Sequence, residues 1–487
     1  MEQQDRRRTV ATPFAAIVLA MLPAVLDQTI LATALPVVAD DLGSINDVSW
    51  VITAYVVAAA ATTPLWGKLG DRHGRKPLLR LSLGLFVVSS ALCGATQDIT
   101  QLIVMRMVQG AAAGGLMTLA MAAVGDLVPP RERGRYQGYI AATFAIATIV
   151  GPLLGGLLVE HASWRWVFFV NLPIGLGALV GLSRTLPAPD LEPPGRSLDS
   201  AGAVLLAGAT SALMLTCIWG GERYAWDSAP ILGLVAATVV LGWALVLRER
   251  RAADPIVPLH LLRAPVVAVA SSGLFLGTAA LFSITVFVPL FLQTATGASP
   301  TGAGLLLVPA MLGITVSTTL SGRSIARTGR YKRFPIAGLA LMTVALGLLA
   351  VLAGERSQLA TGVGLAVFGL GFGMVTQVLV VAVQNHVERQ ELGIATATTG
   401  FFRALGGAVG AAVLGAVFAA QAGARASHSS QGIDAALRAD IVGAVQTVFL
   451  VAAPMAALAL LVVLALPEAP LKTGASAAAH RPAVGAR

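Results

Sequence analysis

Two ionisable residues of this chain stand inside long apolar runs: Asp27, in Leu26-Asp27-Gln28-Thr29-Ile30, and Arg106, in Arg106-Met107-Val108-Gln109-Gly110. A charged side chain in hydrocarbon costs roughly 3 kcal/mol or more, so such a group faces a cavity or a partner and marks a path for solutes or ions. Burial favours the neutral acid and a nearby arginine the ionised one. A carboxyl that alternates between a proton and either Arg106 or a bound solute can therefore carry the proton. The competing reading is a permanent Asp27–Arg106 pair that only locks two helices. A third charge, Arg403 in Phe401-Phe402-Arg403-Ala404-Leu405-Gly406-Gly407, has no acid within its own apolar run. It faces an anionic group on a solute, another helix, or carbonyls freed near the glycines. With Gln28, Tyr55 and Gln109, Arg403 completes the set of candidate cavity residues, although an aromatic such as Tyr55 is more often a packing residue.

These residues can act only if helices hold them at one depth. The sequence is 56% apolar and 12% charged, with a mean hydropathy of +0.79, which no water-soluble domain approaches. A membrane crossing needs about 20 apolar residues. Fourteen stretches qualify, beginning near Pro13, Val48, Leu78, Thr100, Tyr136, Trp166, Ala201, Pro230, Val266, Gly302, Pro335, Leu359, Ile394 and Ala444. All but seven of the 33 Lys and Arg then fall in alternate loops, as a cytoplasmic face requires. The exceptions are Arg106 and Arg403 within spans and Arg165, Arg223, Arg356, Arg425 and Arg438 on the far side. Both termini are expected in the cytoplasm. At a rise of ~1.5 Å per residue, Asp27 sits roughly 21 Å up the first span and Arg106 ~20 Å above the same face, so the two share one depth.

The same count excludes other classes. Net charge is +9, but the basic residues form no aromatic-laced tract of the kind that grips nucleic acid. Cys93 and Cys217 lie in apolar segments and read as packing residues, no metal-ligand spacing is present, and no Walker or nucleophile-elbow motif marks an enzyme. No cofactor is expected.

An internal repeat organises the chain. Gly67-Lys-Leu-Gly-Asp71-Arg72-His-Gly74-Arg75-Lys76 reappears as Gly322-Arg-Ser-Ile-Ala326-Arg327-Thr-Gly329-Arg330 at an offset of 255, and Gly134 and Gly151 fall on Gly393 and Gly410 at an offset of 259. Two six-helix halves with a pair of helices inserted between them follow. The expected domains are 1–186, 187–263 for the linker with its two extra helices, and 264–487 including a cytoplasmic tail. In the repeated loop, glycines permit a tight turn, Asp71 can accept hydrogen bonds at a helix N-terminus, and Arg72, Arg75 and Lys76 stay at the anionic inner surface. Gly151, Pro152, Gly155 and Gly156 mark a helix that another helix can approach closely.

These motifs closely resemble the major facilitator superfamily, and within it the fourteen-helix drug:proton antiporters. The resemblance covers nearly the whole chain and rests on Gly67 to Lys76, Leu26 to Ile30 with Ala34-Leu35-Pro36, Arg106 to Gly110, Gly151-Pro152-Leu-Leu-Gly155-Gly156, and Trp164-Arg165-Trp166 with Asn171-Leu172-Pro173. It implies an all-α membrane protein of two six-helix bundles plus two inserted helices. It also implies that Gly67, Asp71, Arg72, Gly74 and Arg75 form a gating loop that Asp126 meets through Arg72 or Arg75, and that Gly151, Pro152, Gly155 and Gly156 form the antiporter motif. Ala147 stands where that motif usually has a further glycine, and Ala326 stands where the second loop would need an acid. The implied activity is proton-coupled export of small amphipathic compounds, such as drugs, antibiotics or dyes, across a bacterial cell membrane by a monomer. The partners are then lipid, solute and protons. The alternatives are a proton-linked importer and a receptor that retains the fold. With Asp27 the one acid deep in a span, neutral, monocationic or zwitterionic solutes are expected.

Overall fold

The computed structural model describes residues 2–42, 48–187, 198–221, 223–252, 254–295, 300–352, 357–422 and 435–471. Arg356 and Arg425 of the expected far-side set lie outside the described residues, as does the Arg438 side chain. The first half holds α1 (Glu2–Asp41), α2 (Val48–His73), α3 (Arg75–Ala95), α4 (Ile99–Leu127), α5 (Pro130–His161), the short α6 (Trp166–Phe169) and α7 (Asn171–Thr185). Then come α8 (Ser200–Trp219), α9 (Ala229–Glu249) and the short α10 (Leu259–Arg263). The second half holds α11 (Pro265–Phe282), continued through a π-helical turn (Ser283–Phe287) into α12 (Val288–Ala295), then α13 (Pro300–Leu305), α14 (Val308–Thr328), α15 (Arg333–Leu352), α16 (Gln358–His386), α17 (Leu392–Ala422) and α18 (Ala435–Leu464).

Thirteen of the described helices are long and apolar enough to cross a membrane, against the fourteen expected. The difference is the stretch near Gly302, which resolves into α13 and α14. α14 is rich in hydroxyls, and Thr315 and Thr319 return theirs to carbonyls one turn back, at 2.9 and 2.8 Å. It nonetheless exposes Leu312, Val316 and Leu320 as one stripe at four-residue spacing, which is what a lipid-facing helix presents. Prolines inside α1, α2, α5 and α18 do not end those helices, as membrane-spanning helices tolerate. Asp98 caps α4 and Asp199 caps α8, accepting from Gln101 N at 2.8 Å and Gly202 N at 3.0 Å.

Buried apolar side chains form clusters that respect the repeat. One draws only on residues 261–471, and two draw only on residues 14–186. α8 packs on α9 and also against α2 and α17, with Trp219 edge-on to Trp50 at 4.7 Å between ring centroids. α9 leaves Leu232, Val239, Val240 and Trp243 exposed, so it faces lipid.

Each repeated loop turns at a glycine, though by a different backbone route, with ψ at 151° in Gly74 and −3° in Gly329. Gly74 and Gly329, 255 residues apart, both hold positive φ, 87° and 71°, which only glycine adopts without strain. Pro130 occupies the first turn of α5, where its missing N–H costs nothing.

The repeated glycines also meet in space, and they join the halves on the face that carries these loops, the basic face. A Cβ on Gly134 would stand 2.6 Å from the Cα of Gly322, and one on Gly67 would stand 2.8 Å from the carbonyl oxygen of Gly393. These two crossings, α5 on α14 and α2 on α17, are the same pair of repeat positions exchanged between the halves. Farther along, α5 turns to α1 through Gly151 and Gly155, and α17 turns to α11 through Gly406 and Gly410, each within its own half. The closest backbone crossings between the halves therefore lie near the basic face. Substituting Gly322→Val forces a branched side chain into the backbone of Gly134, an overpacking that costs about 1–3 kcal/mol. The basic-face ends of α5 and α14 are expected to separate in most molecules, read as a longer distance between spin labels on those ends. An unchanged distance distribution would show that this contact does not set the closure.

Candidate functional site

Asp27 is completely buried, and among the described residues every hydrogen bond to its carboxylate comes from the first half. Arg106 Nη1 donates to its Oδ2 at 2.5 Å, while Gln109 Nε2 and Asn171 Nδ2 donate to Oδ1 at 3.0 and 3.3 Å. The donors are held in turn. Arg106 also reaches Gln109 Oε1 at 2.6 Å and the carbonyl of Val51 at 3.2 Å, and Asn171 donates to Ser90 Oγ at 3.0 Å. Ser90 passes its own hydrogen to the carbonyl of Phe168 at 2.9 Å. The guanidinium carbon lies 4.2 Å from the centre of the Tyr55 ring, close enough for a cation–π contact.

Small residues allow this convergence. Side chains on Gly110 or Gly114 of α4 would collide with the backbone of α2 at Tyr55 or Ala59, so their absence lets α2 lie against α4 with Tyr55 over Arg106. Gly151 and Gly155 of α5 accept Thr29 and Thr33 of α1, and Thr29 donates to the carbonyl of Ala147 at 3.3 Å. α1 is thereby fixed one turn from Asp27. Gly156 plays no such part: no atom of another residue stands within 4 Å of where its Cβ would be, and Gly156 and Pro152 are both exposed. Two of the four motif residues form the helix contact. The others are turned away from it, each about a hundred degrees round α5 from the glycine that precedes it.

A cavity of about 500 Å³ lies between the halves. Gln28, Tyr55 and Arg403 line it. Gln109 does not. It is fully buried, one turn from Arg106 on the face of α4 that packs toward α1 and α3, and its amide serves the Asp27 carboxylate and the Cys93 thiol, 3.5 Å away. Asp27 and Arg106 are likewise absent from the wall; Tyr55, which lines it, stacks on Arg106. Arg403 is the one charged residue among those that line it. No hydrogen bond or ion pair joins it to any described residue.

On the basic face the gating residues converge. Both oxygens of Asp71 accept from the first amides of α17, Gly393 N and Ile394 N, each at 2.7 Å, so an acid of one half caps a helix of the other. Arg75 joins Asp71 at 2.5 Å and Asp126 at 3.2 Å, and Asp126 reaches Arg389 of the other half at 3.5 Å. Arg72 turns instead to Asp254, at 3.5 Å, where Lys68 also binds at 2.5 Å. Asp254 belongs to the linker after α9, so the inserted pair of helices is tied to the gating loop. Ala326, at the place of Asp71 in the repeat, offers no carboxylate. There Arg133 crosses between halves, donating to the carbonyls of Val128 and Gly125 and, at 3.2 Å, to that of Gln384.

Asn171, Ser90, Asp254 and Arg133 escape a reading of the sequence. Asn171 is visible only as a polar residue in a motif, and Arg133 and Asp254 look like ordinary loop charges.

Residues 17–411 match the sequence model of the Major Facilitator Superfamily. An uncharacterized MFS-type transporter of Mycobacterium tuberculosis is 41% identical over 406 residues, 83% of this chain and 59% of the relative, so the chain spans about six-tenths of that relative's length. The multidrug transporter protein MdtP of Bacillus subtilis is 33% identical over 421 residues, 86% of this chain and 77% of that protein. Among solved structures, the human organic anion transporter MFSD10 (TETRAN) aligns over 93% of this chain and 99% of its own, with a TM-score of 0.67 at 17% identity. The proton:xylose symporter XylE bound to 6-bromo-6-deoxy-D-glucose aligns over 97% and 99%, with a TM-score of 0.65 at 16% identity. At these identities the two structures establish a shared fold.

The cage around Asp27 makes a stability prediction. Arg106→Gln leaves a buried carboxylate without its counter-charge and is expected to cost about 3–5 kcal/mol. Adding Asp27→Asn should restore most of that loss, read as the unfolding midpoint of purified protein in detergent. A single variant as stable as wild type would show that the pair does not hold the helices together.

Proposed function

The chain belongs to the major facilitator superfamily, and we propose that it exports small amphipathic compounds in exchange for protons, by alternating access to the cavity between its halves. The observation that carries this reading is the placement of the Asp27–Arg106 pair behind the cavity wall, with Tyr55 shared between wall and pair. A solute that displaces Tyr55 disturbs the guanidinium stacked beneath it, so cavity occupancy and the charge state of Asp27 are coupled through one aromatic ring. A proton that reaches Asp27 removes the negative charge that holds Arg106, Gln109 and Asn171, and releases those three donors together.

The gate supplies the other half of the cycle. The capping of α17 by Asp71 and the two glycine crossings hold the basic face shut, and the positive-inside bias makes that face cytoplasmic. Opening it requires Asp71 to leave two helix N–H groups and both crossings to part, a rocking of two packed bundles about the cavity. The names of the bacterial relatives, a multidrug transporter among them, favour export of amphipathic compounds over uptake of a metabolite. The protein then works as a multi-pass monomer in the cell membrane with no cofactor beyond the proton gradient.

The test is flux through reconstituted vesicles with an imposed pH gradient, using a panel of fluorescent dyes and antibiotics. Wild type is expected to move at least one of them against its concentration gradient, opposite to proton flow. Asp27→Asn is expected to lose at least ten-fold of the gradient-driven rate while retaining solute exchange without a gradient. Unchanged proton-driven export by Asp27→Asn would remove the carrier role, and solute movement in the direction of proton flow would make the protein an importer.

A further inference from the structure

The cavity that this export reading needs has a wall of one charge sign. Arg403 projects from the face of α17 that also contributes Thr396, Thr399 and Gly400, and no acidic residue lines the same space. A guanidinium taken out of bulk water without an opposite charge is costly, and natural structures keep such groups paired. Arg403 has no such pair among the described residues, whereas the buried arginines of the first half are answered: Arg106 by Asp27 and Arg133 by three carbonyls. Asp27 cannot serve Arg403, because both of its oxygens are occupied within the first half behind Tyr55. A second polar group on the wall is also unfilled. The side-chain oxygen of Gln377 is buried without a partner and lines the same cavity.

We propose, resting on the export reading, that the cavity takes amphipathic anions, and that Arg403 binds their carboxylate or sulfonate head through its fork of N–H donors. The planar guanidinium matches a two-oxygen anion in a way that a lysine ammonium does not. The remainder of the wall suits the body of such a molecule: Met21, Met117, Met121 and Met311 offer flexible thioethers, and Phe144 and Phe372 offer rings. The monocation expected from the sequence finds no acid on this wall. A zwitterion still fits through its acidic end.

The test is equilibrium binding to the full chain in nanodiscs of neutral lipid, with empty discs subtracted and no ion gradient. The probes are pyrenebutyrate, dansyl-aminoundecanoate and anilinonaphthalene sulfonate, the first two also as their methyl esters, together with pyrenebutylamine. Wild type is expected to bind at least one acid ten-fold or more tighter than its ester. Arg403→Gln should abolish that difference and Arg403→Lys should keep part of it. Arg403→Glu should reverse the preference toward the amine, a gain that a misfolded protein cannot show. Equal binding of acid and ester by wild type, binding of none of the acids, or discrimination that survives Arg403→Gln would overturn the proposal. So would loss of acid binding when phosphatidylglycerol is added, since the site would then belong to a lipid head. Because binding is read without a gradient, an acid-selective cavity in a chain that moves no protons would sink the export reading and leave this one standing. Proton-driven export through a cavity indifferent to acid or ester would do the reverse.

Discussion

A single carboxylate shut away from water organises the first half of this protein. Asp27 has no exposed surface, and a lone charge so placed would be intolerable, so α4 supplies Arg106 and Gln109 and α7 supplies Asn171. Meeting that demand dictates packing. The glycines of α4 let α2 come close enough to place Tyr55 on Arg106, and Gly151 and Gly155 let α5 hold α1 in register beside the acid. The small residues of these helices make sense as the condition for one satisfied polar cage, since long side chains there would hold the helices too far apart for their donors to reach.

The second constraint is that the halves must touch without fusing. They meet on the basic face by backbone-to-backbone contact at repeated glycines, which gives close packing with little buried apolar side chain, and by one directional latch, Asp71 on the start of α17. Such contacts form and part as units, because a helix N-terminus is either capped or open to water. The latch is present on one side of the pseudo-symmetric gate and absent on the other. Arg133 bridges the halves there by different chemistry, while on the latched side the linker acid Asp254 gives the inserted helices a hold on the gating loop.

Cavity and cage divide the charges between the halves. The acid and its arginine sit wholly within the first half, and the unpaired arginine of the wall belongs to the second. A proton and a solute would then be held by different groups on different bundles, and they would communicate through Tyr55 and through the rocking of the halves. Direct competition for a single carboxylate is not required.

Much of this was fixed by the amino-acid sequence. The length and apolarity of the runs determine a helical membrane protein, the alternation of Lys and Arg determines which loops share a face, and the repeat at offsets of 255 and 259 determines two related halves. Residue spacing along straight helices placed Asp27 level with Arg106, and the two do pair at 2.5 Å. What spacing leaves open is rotation about each helix axis. One turn separates Arg106 from Gln109, yet whether Gln109 faces solute or acid depends on how α4 lies against α1 and α3. The same rotation decided that Gly155 packs and Gly156 does not. Partners distant in sequence, such as Asn171 for Asp27 or Asp254 for Lys68, follow from the assembly of helices whose order in the chain carries no signal of their contact. That Arg403 stands in the cavity without a counter-charge is a property of the whole surrounding wall, so only the tertiary structure could decide it.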